Sequence, residues 1–321
     1  MFLANPYGGL ANQLFGYAFA RAVQEKTKAK EMLLSRRFFL RQYRDAEKIP
    51  EFFADYYELC PSKVRVCKGR FIEQIIRTVR GVYRRIFTEK ADMLTVEQFK
   101  KRVNKGYICS RTTKSLCDDL NELPIHENGL ILVEGLFQWP KAFSNLREEM
   151  RRELTLTIPL QVSAKKILQQ IQESQSVCLH VRRGDYLRFA SLQVCNYEYY
   201  AKGMEYLAKK IEHPYFFVFS DDIDWVKKNY NIPYPHTFVQ ENHEAPFELE
   251  LMRNCKHFII SNSTFSWWAQ YLCKYKDSLV VAPYPWFTDG REASLYLPDW
   301  HVIKVSNDTK GLRGNKQNEN E

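Results

Sequence analysis

The sequence predicts an α/β fold built on parallel sheet. Three observations carry that expectation. The chain opens as an apolar strand, a glycine turn and a helix. Its second half alternates short apolar runs with helical patterns. Three of the four apolar runs there end in polar residues. The chain has 321 residues, and at roughly 100–200 residues per domain two domains are expected.

Residues 2–4 are apolar, and Asn5-Pro6-Tyr7-Gly8-Gly9 is a turn signal. Ala11, Leu14, Phe15, Ala18 and Ala22 then recur at helical spacing. Between Arg70 and Phe87 a second helical pattern has Phe71, Ile72, Ile75, Ile76, Val79, Val82, Tyr83 and Ile86 on a wide apolar face. Arg70, Arg77, Arg80, Arg84 and Arg85 form a basic one, and Gly81 weakens the helix. Residues 130–134 read as a buried strand ended by Gly135, and 145–154 as a helix. Ile158-Pro159 closes the first half. In the second half the apolar runs are 177–181, 216–219, 258–260 and 279–282, with helices such as 199–211 and 247–255 between them. From Ser306 the chain is polar and is expected to be disordered.

Composition narrows the function classes. Hydrophobic residues at 45% and charged residues at 26% suit a globular protein with a sizeable core. A net charge of +9 fits nucleic acid, an acidic membrane or an anionic ligand, and does not choose among them. The eight cysteines form no C-x-x-C pair and have no histidine cluster beside them, which excludes zinc-site spacing. They read as reduced thiols in a cytoplasmic protein. No signal peptide and no run of membrane-spanning length is present, so a cytoplasmic location is expected.

In open α/β sheets, ligands bind beyond the carboxyl ends of the strands. The first run of the second half leaves His180-Val181-Arg182-Arg183-Gly184-Asp185. The second leaves Ser220-Asp221-Asp222. The third leaves Ser261-Asn262-Ser263-Thr264-Phe265-Ser266, then Trp267-Trp268. The fourth leaves Pro283-Tyr284-Pro285. Adjacent arginines suit a pyrophosphate, because guanidinium keeps its charge and bonds in pairs. Ser263, Thr264 and Ser266 open a helix and make an anion site there. An acid after the second run can accept from a ribose or base. Singly, each has a plain structural role: a solvated loop, a helix cap, tryptophans packed on the sheet. Jointly they point to a diphosphate held without a metal.

Two rivals come from the residues themselves. Asp222-Ile223-Asp224 is a D-x-D that can hold Mg²⁺ or Mn²⁺. The Trp-Val-Lys-Lys after it places these acids in the first turn of a helix instead, so no metal site is expected. The segment from Arg70 to Phe87 is either an ordinary core helix or a peripheral contact with anionic lipid. Nucleic-acid motifs are absent, and no nucleic-acid partner is expected.

These motifs resemble those of the bacterial α-1,2-fucosyltransferases, relatives of the animal galactoside 2-L-fucosyltransferases in glycosyltransferase family 11. The resemblance runs from Gly8 to about Val305. It is clearest at Gly8-Gly9-Leu10-Ala11-Asn12-Gln13 with Tyr17-Ala18-Phe19-Ala20-Arg21, and at His180-Val181-Arg182-Arg183-Gly184-Asp185-Tyr186. Phe219-Ser220-Asp221-Asp222 and Asn262-Ser263-Thr264-Phe265-Ser266-Trp267-Trp268 extend it, and Gly135 with Phe137-Gln138 and Phe143 adds a weaker match.

This resemblance implies a GT-B fold, two Rossmann-like domains facing across a cleft. Residues 1–157 would form the acceptor side and 158–305 the GDP-fucose side, with 306–321 a tail. It implies inverting, metal-independent transfer of L-fucose to the 2-hydroxyl of a β-galactoside, with no cofactor. The acceptor would sit in a glycan or polysaccharide repeat unit, either free or lipid-linked at the inner face of the membrane. By the same analogy Arg182 binds the pyrophosphate and stabilises the leaving group, with Arg183 beside or supporting it, and Asp185 is the candidate base. His180 and Asp221 contact guanosine, and Ser263, Thr264 and Ser266 contact phosphate. Asn12, Gln13 and Gln138 reach the cleft from the acceptor side. Alternatives are another linkage, such as α-1,6, or a non-catalytic basic protein binding membrane or nucleic acid. Ala11 stands where the family usually has glycine, and Gly16 where a larger polar residue is common. Both are expected near the acceptor cleft, and an Ala11 backbone at positive φ would be strained.

Overall fold

The computed structural model describes residues 1–36, 51–67, 69–239 and 244–305. The polar tail expected from residue 306 onward lies outside them. Two parallel sheets organise the chain. The first holds β1 (Phe2–Asn5), β2 (Met32–Ser35), β3 (Val64–Cys67), β4 (Tyr107–Ser110) and β5 (Ile131–Gly135), in the order β3-β2-β1-β5-β4. The second holds β6 (Gln175–Val181), β7 (Pro214–Ser220), β8 (His236–Phe238), β9 (His257–Ile259), β10 (Val280–Tyr284) and β11 (His301–Lys304). Their order is β11-β10-β9-β6-β7-β8. Counted from β6, this is the strand order of the dinucleotide-binding fold, and its topological switch point lies between β6 and β9.

The helices are α1 (Leu10–Thr27), α2 (Arg70–Ile86), α3 (Val96–Val103), α4 (Arg147–Glu153), α5 (Val162–Glu173), α6 (Tyr197–Ala208), α7 (Ile223–Asn229), α8 (Ala245–Arg253) and α9 (Thr264–Tyr271). The expected boundary at 157–158 falls between α4 and α5. Parallel strands covered on both faces must be apolar throughout. In β6, Val177, Leu179 and Val181 face one core, and Cys178 faces the other. His180 continues the Cys178 side at the strand's carboxyl end, and it is the polar exception there.

Nearly all of α1 is buried, because it lies between its own sheet and α9. Its Phe15 ring sits 4.7 Å from Trp267 and 5.1 Å from Trp268, and Phe143 stacks on Trp268 at 6.1 Å. All four rings are unexposed. The tryptophans, expected to pack on their own sheet, thus pack across to the first half. Polar bonds reinforce the join. Arg147 Nε donates to the Tyr271 carbonyl at 2.8 Å, and Arg253 Nη1 to the Leu154 carbonyl at 2.6 Å.

Several expected boundaries move. The helix at 145–154 is a 3-10 turn, Pro140–Leu146, followed by α4. Pro283 and Tyr284 still belong to β10 rather than leaving it. Ala11 is the second residue of α1, with no positive φ, so alanine is unstrained there. The left-handed conformation falls instead on Gly8, at φ 84°. Gly16 lies away from the cleft. A methyl there would stand 3.4 Å from the Gly135 carbonyl, so glycine lets α1 lie close against the end of β5.

Candidate active site

The carboxyl edges of the two sheets face one cleft of about 420 Å³. Most of its chemistry comes from the second sheet. His180 is the penultimate residue of β6 and is 2% exposed. Its Nδ1 lies 2.9 Å from Ser261 Oγ. Burial, helped by the nearby Arg182 charge, pushes its pKa down to about 3, so the imidazole is neutral.

Arg182 lies two residues beyond it. Its Nε donates to Asp185 Oδ1 at 2.9 Å, its Nη2 pairs with the same oxygen at 2.8 Å, and its Nε lies 3.3 Å from Asp221 Oδ2. Burial opposes its charge, but Asp221 and Asp185 outweigh that and raise its pKa. Asp221 also accepts the Arg183 backbone N–H at 2.8 Å. The same close approach explains Gly184, because a Cβ there would stand 2.6 Å from Asp221 Oδ2.

Two helix N-termini open on the cleft. Ser263 caps α9 by accepting the Phe265 N–H at 3.2 Å, and Ser263, Thr264 and Phe265 line the wall. Across from them, Gly9 begins α1 with no side-chain cap, and Gly9, Leu10, Ala11 and Asn12 line the wall. Each N-terminus carries roughly half a positive charge from unpaired N–H groups. Gln138 Nε2 donates to Asn12 Oδ1 at 3.0 Å, and both line the cleft. Asn262 acts as a clamp. Its Nδ2 donates to the carbonyls of Leu192 at 2.9 Å and Trp286 at 3.0 Å, tethering two loops whose side chains complete the wall.

The structure gathers His180, Arg182, Asp185, Asp221, Ser263, Thr264, Asn12 and Gln138 around this cleft, and leaves three expected residues outside it. Arg183 turns away: its guanidinium lies 3.6 Å over the Trp225 ring and its Nε donates to Asp222 at 2.9 Å. Ser266 is fully buried and donates to the Ser263 carbonyl at 3.3 Å. Gln13, also fully buried, donates to the carbonyls of Gly8 at 3.2 Å and Glu51 at 2.8 Å, and accepts the Phe53 N–H at 3.2 Å. It staples the loop at 51–53 to α1. Trp267 and Trp268 do not line the cleft. Of the D-x-D acids, Asp222 pairs with Arg183 and Asp224 with Lys227 at 3.5 Å. Among the described residues no group of three or more His, Cys, Asp or Glu is placed to hold a metal ion.

Sequence reasoning missed Glu248, on the cleft-facing side of α8. Burial raises its pKa to about 7, against the opposing pull of Arg182 and with a smaller push from Asp221. Also missed were Tyr186, Leu192, Trp286 and Phe287, which supply aromatic and apolar wall. Tyr186 donates to the Asn262 carbonyl at 3.1 Å.

Fold and site together are of the GT-B type, two parallel-sheet halves whose carboxyl edges share a polar cleft. The solved fucosyltransferase NodZ from Bradyrhizobium shares this fold, with a TM-score of 0.50 and 13% identity over 86% of this chain and 95% of that one. The chain belongs to glycosyl transferase family 11, whose model matches residues 7–304. An alpha-1,2-colitosyltransferase of Escherichia coli is 29% identical over 294 residues, 87% of this chain and 90% of that protein. The galactoside alpha-(1,2)-fucosyltransferase 1 of Homo sapiens is 30% identical over 181 residues, 51% of this chain and 50% of that protein.

Proposed function

We propose that this enzyme transfers L-fucose from GDP-fucose to the 2-hydroxyl of a β-galactoside, with inversion and without a metal ion. The acceptor is proposed as part of a glycan or a polysaccharide repeat unit, free or carried on lipid, met in the cytoplasm. The observation that carries the reading is the convergence on one cleft of Arg182 and the N-termini of α1 and α9.

As the bond from fucose to the β-phosphate breaks, negative charge grows on the phosphate oxygen. A preorganised cation and two positive helix ends stabilise that charge more than the ground state. Arg182 is the arginine on this wall among the described residues, and its two carboxylate partners fix its direction. Asp185 is already engaged by Arg182, so we assign it as a positioning residue rather than a free base. The acceptor hydroxyl attacks the face opposite the leaving diphosphate, and a dissociative reaction needs only late loss of its proton.

Glu248 and neutral His180 suit the base of the nucleotide. A carboxylate accepts from the adjacent N–H groups of a guanine edge, and an imidazole can donate from one nitrogen and accept at the other.

A second donor calls for the same test, because the colitosyltransferase matches most of the chain. Purified protein would be given GDP-fucose or GDP-colitose with a panel of β-galactosides, with and without EDTA, and the product linkage read by NMR. An α-1,2-fucosylated product insensitive to EDTA supports the reading. Exclusive use of GDP-colitose replaces the donor, an α-1,6 product replaces the linkage, and loss with EDTA restores the D-x-D alternative.

A further inference from the structure

Helix α2 leaves part of its apolar surface uncovered. Ile76 is fully buried against the back of the first sheet, in a cluster with Leu3, Leu33 and Leu132. A neighbouring stripe is not covered. Phe71 is 75% exposed, Val82 49% and Ile86 59%, with Ile75 half-buried between them. At 100° per residue, positions 71, 75, 82 and 86 form one line along the helix axis. Arg77, Arg84 and Arg85 are exposed on the polar side, and Glu73 is the single acid of the helix.

We infer that this face of α2 docks on an anionic lipid surface. The stripe would enter the boundary between headgroups and acyl chains while Arg85, which flanks it, meets a lipid phosphate and Arg77 and Arg84, farther round the helix, add to the positive field. Charge argues against the other occupants. Two copies paired through α2 would set arginine against arginine, and a nucleic-acid backbone offers nothing to an apolar stripe. The residues concerned are far in sequence from those that line the cleft and none belongs to it. No helix among the described residues is long and apolar enough to cross a membrane, so the contact is peripheral. The inference rests on α2 alone, and it would bring the enzyme to a lipid-carried acceptor.

The test is co-sedimentation of the full chain with vesicles of phosphatidylcholine alone or mixed with phosphatidylglycerol. It uses no donor or acceptor, so its outcome is separate from that of the transfer assay. The protein should bind the mixed vesicles, not the neutral ones, and release as salt rises. Each basic residue near an anionic surface is worth roughly fivefold in binding. The combined Arg77→Gln, Arg84→Gln and Arg85→Gln variant should therefore bind at least about fivefold more weakly, most of it from Arg85. The matching lysine variant should retain most binding, and Phe71→Ser with Ile86→Ser should weaken it at an unchanged melting temperature. Failure of the native protein to bind, or binding indifferent to these substitutions, overturns the inference. So does a dimer that Phe71→Asp dissolves.

Discussion

The two walls of the cleft come from sheets of the same parallel design, yet they handle a ligand differently. The second sheet offers side chains: His180, Arg182, Asp185, Asp221 and Glu248. The first offers the backbone end of α1 and small or neutral groups: Gly9, Leu10, Ala11, Asn12 and Gln138. One wall acts through charge and named functional groups, the other through N–H donors and shape. That suits a division in which the second wall fixes a charged nucleotide donor, while the side chains of the first shape the space for an uncharged acceptor and only the backbone end of α1 turns toward the diphosphate.

The comparison can be broken first at Arg182. Arg182→Ala should lower kcat by roughly a hundred- to a thousandfold, the usual cost of losing one preorganised donor to a developing anion. Thermal unfolding should show a folded protein, and near-normal turnover would remove the charge-based account. Next comes the seam between the walls. Trp268→Ala should cost about 3–5 kcal/mol of stability, as for other large aromatic deletions in a packed core. Denaturant titration reads it, and a loss under about 1 kcal/mol would mean that the walls are not held by this cluster.

A smaller effect is expected at Glu248, where the sign can be worked out. Its carboxyl is raised from 4.5 to about 7, so the native state holds its proton over that interval while the unfolded chain has lost it. From this group, stability of the unliganded protein falls as pH rises from about 4.5 to about 7. GDP affinity should move the other way, rising several-fold as the carboxylate forms and accepts from the base. Calorimetric titration of GDP across that range should give a slope in the native protein and none in Glu248→Gln. A slope unchanged in the variant would assign it elsewhere. On the opposite wall, Asn12→Ala should raise the acceptor KM severalfold and leave GDP affinity unchanged. A donor defect would mean that the Asn12 side chain also holds the nucleotide. Smallest of all, Arg183→Ala should cost under about tenfold in kcat, since it loses a stacked ion pair on α7 rather than a ligand contact.

The second half was legible because its central strands are buried on both faces. β6, β7, β9 and β10 must then be continuous apolar runs, and the residues just past each run mark the cleft edge. The strands β2, β3, β8 and β11 have three or four residues each and were not separable from loop. The resemblance also put the side chains of Gln13, Ser266 and Arg183 at the ligand, where the structure turns them away. Each lies close to a cleft residue in sequence, but a step along a helix or loop turns the side chain away. Glu248 had no signal, because its neighbour Glu250 looks the same and instead lies 3.8 Å from Arg253.

By itself the sequence determined the α/β class, the family, and the segments of the second half that meet at the cleft, because periodicity and motif chemistry are local properties of the chain. Tertiary structure alone decided which side chains face the cleft, that Trp267 and Trp268 join the two halves, and that Glu248 and His180 sit where burial shifts their protons. Those outcomes depend on distance, enclosure and neighbouring charge, which exist only once segments far apart in sequence are packed together.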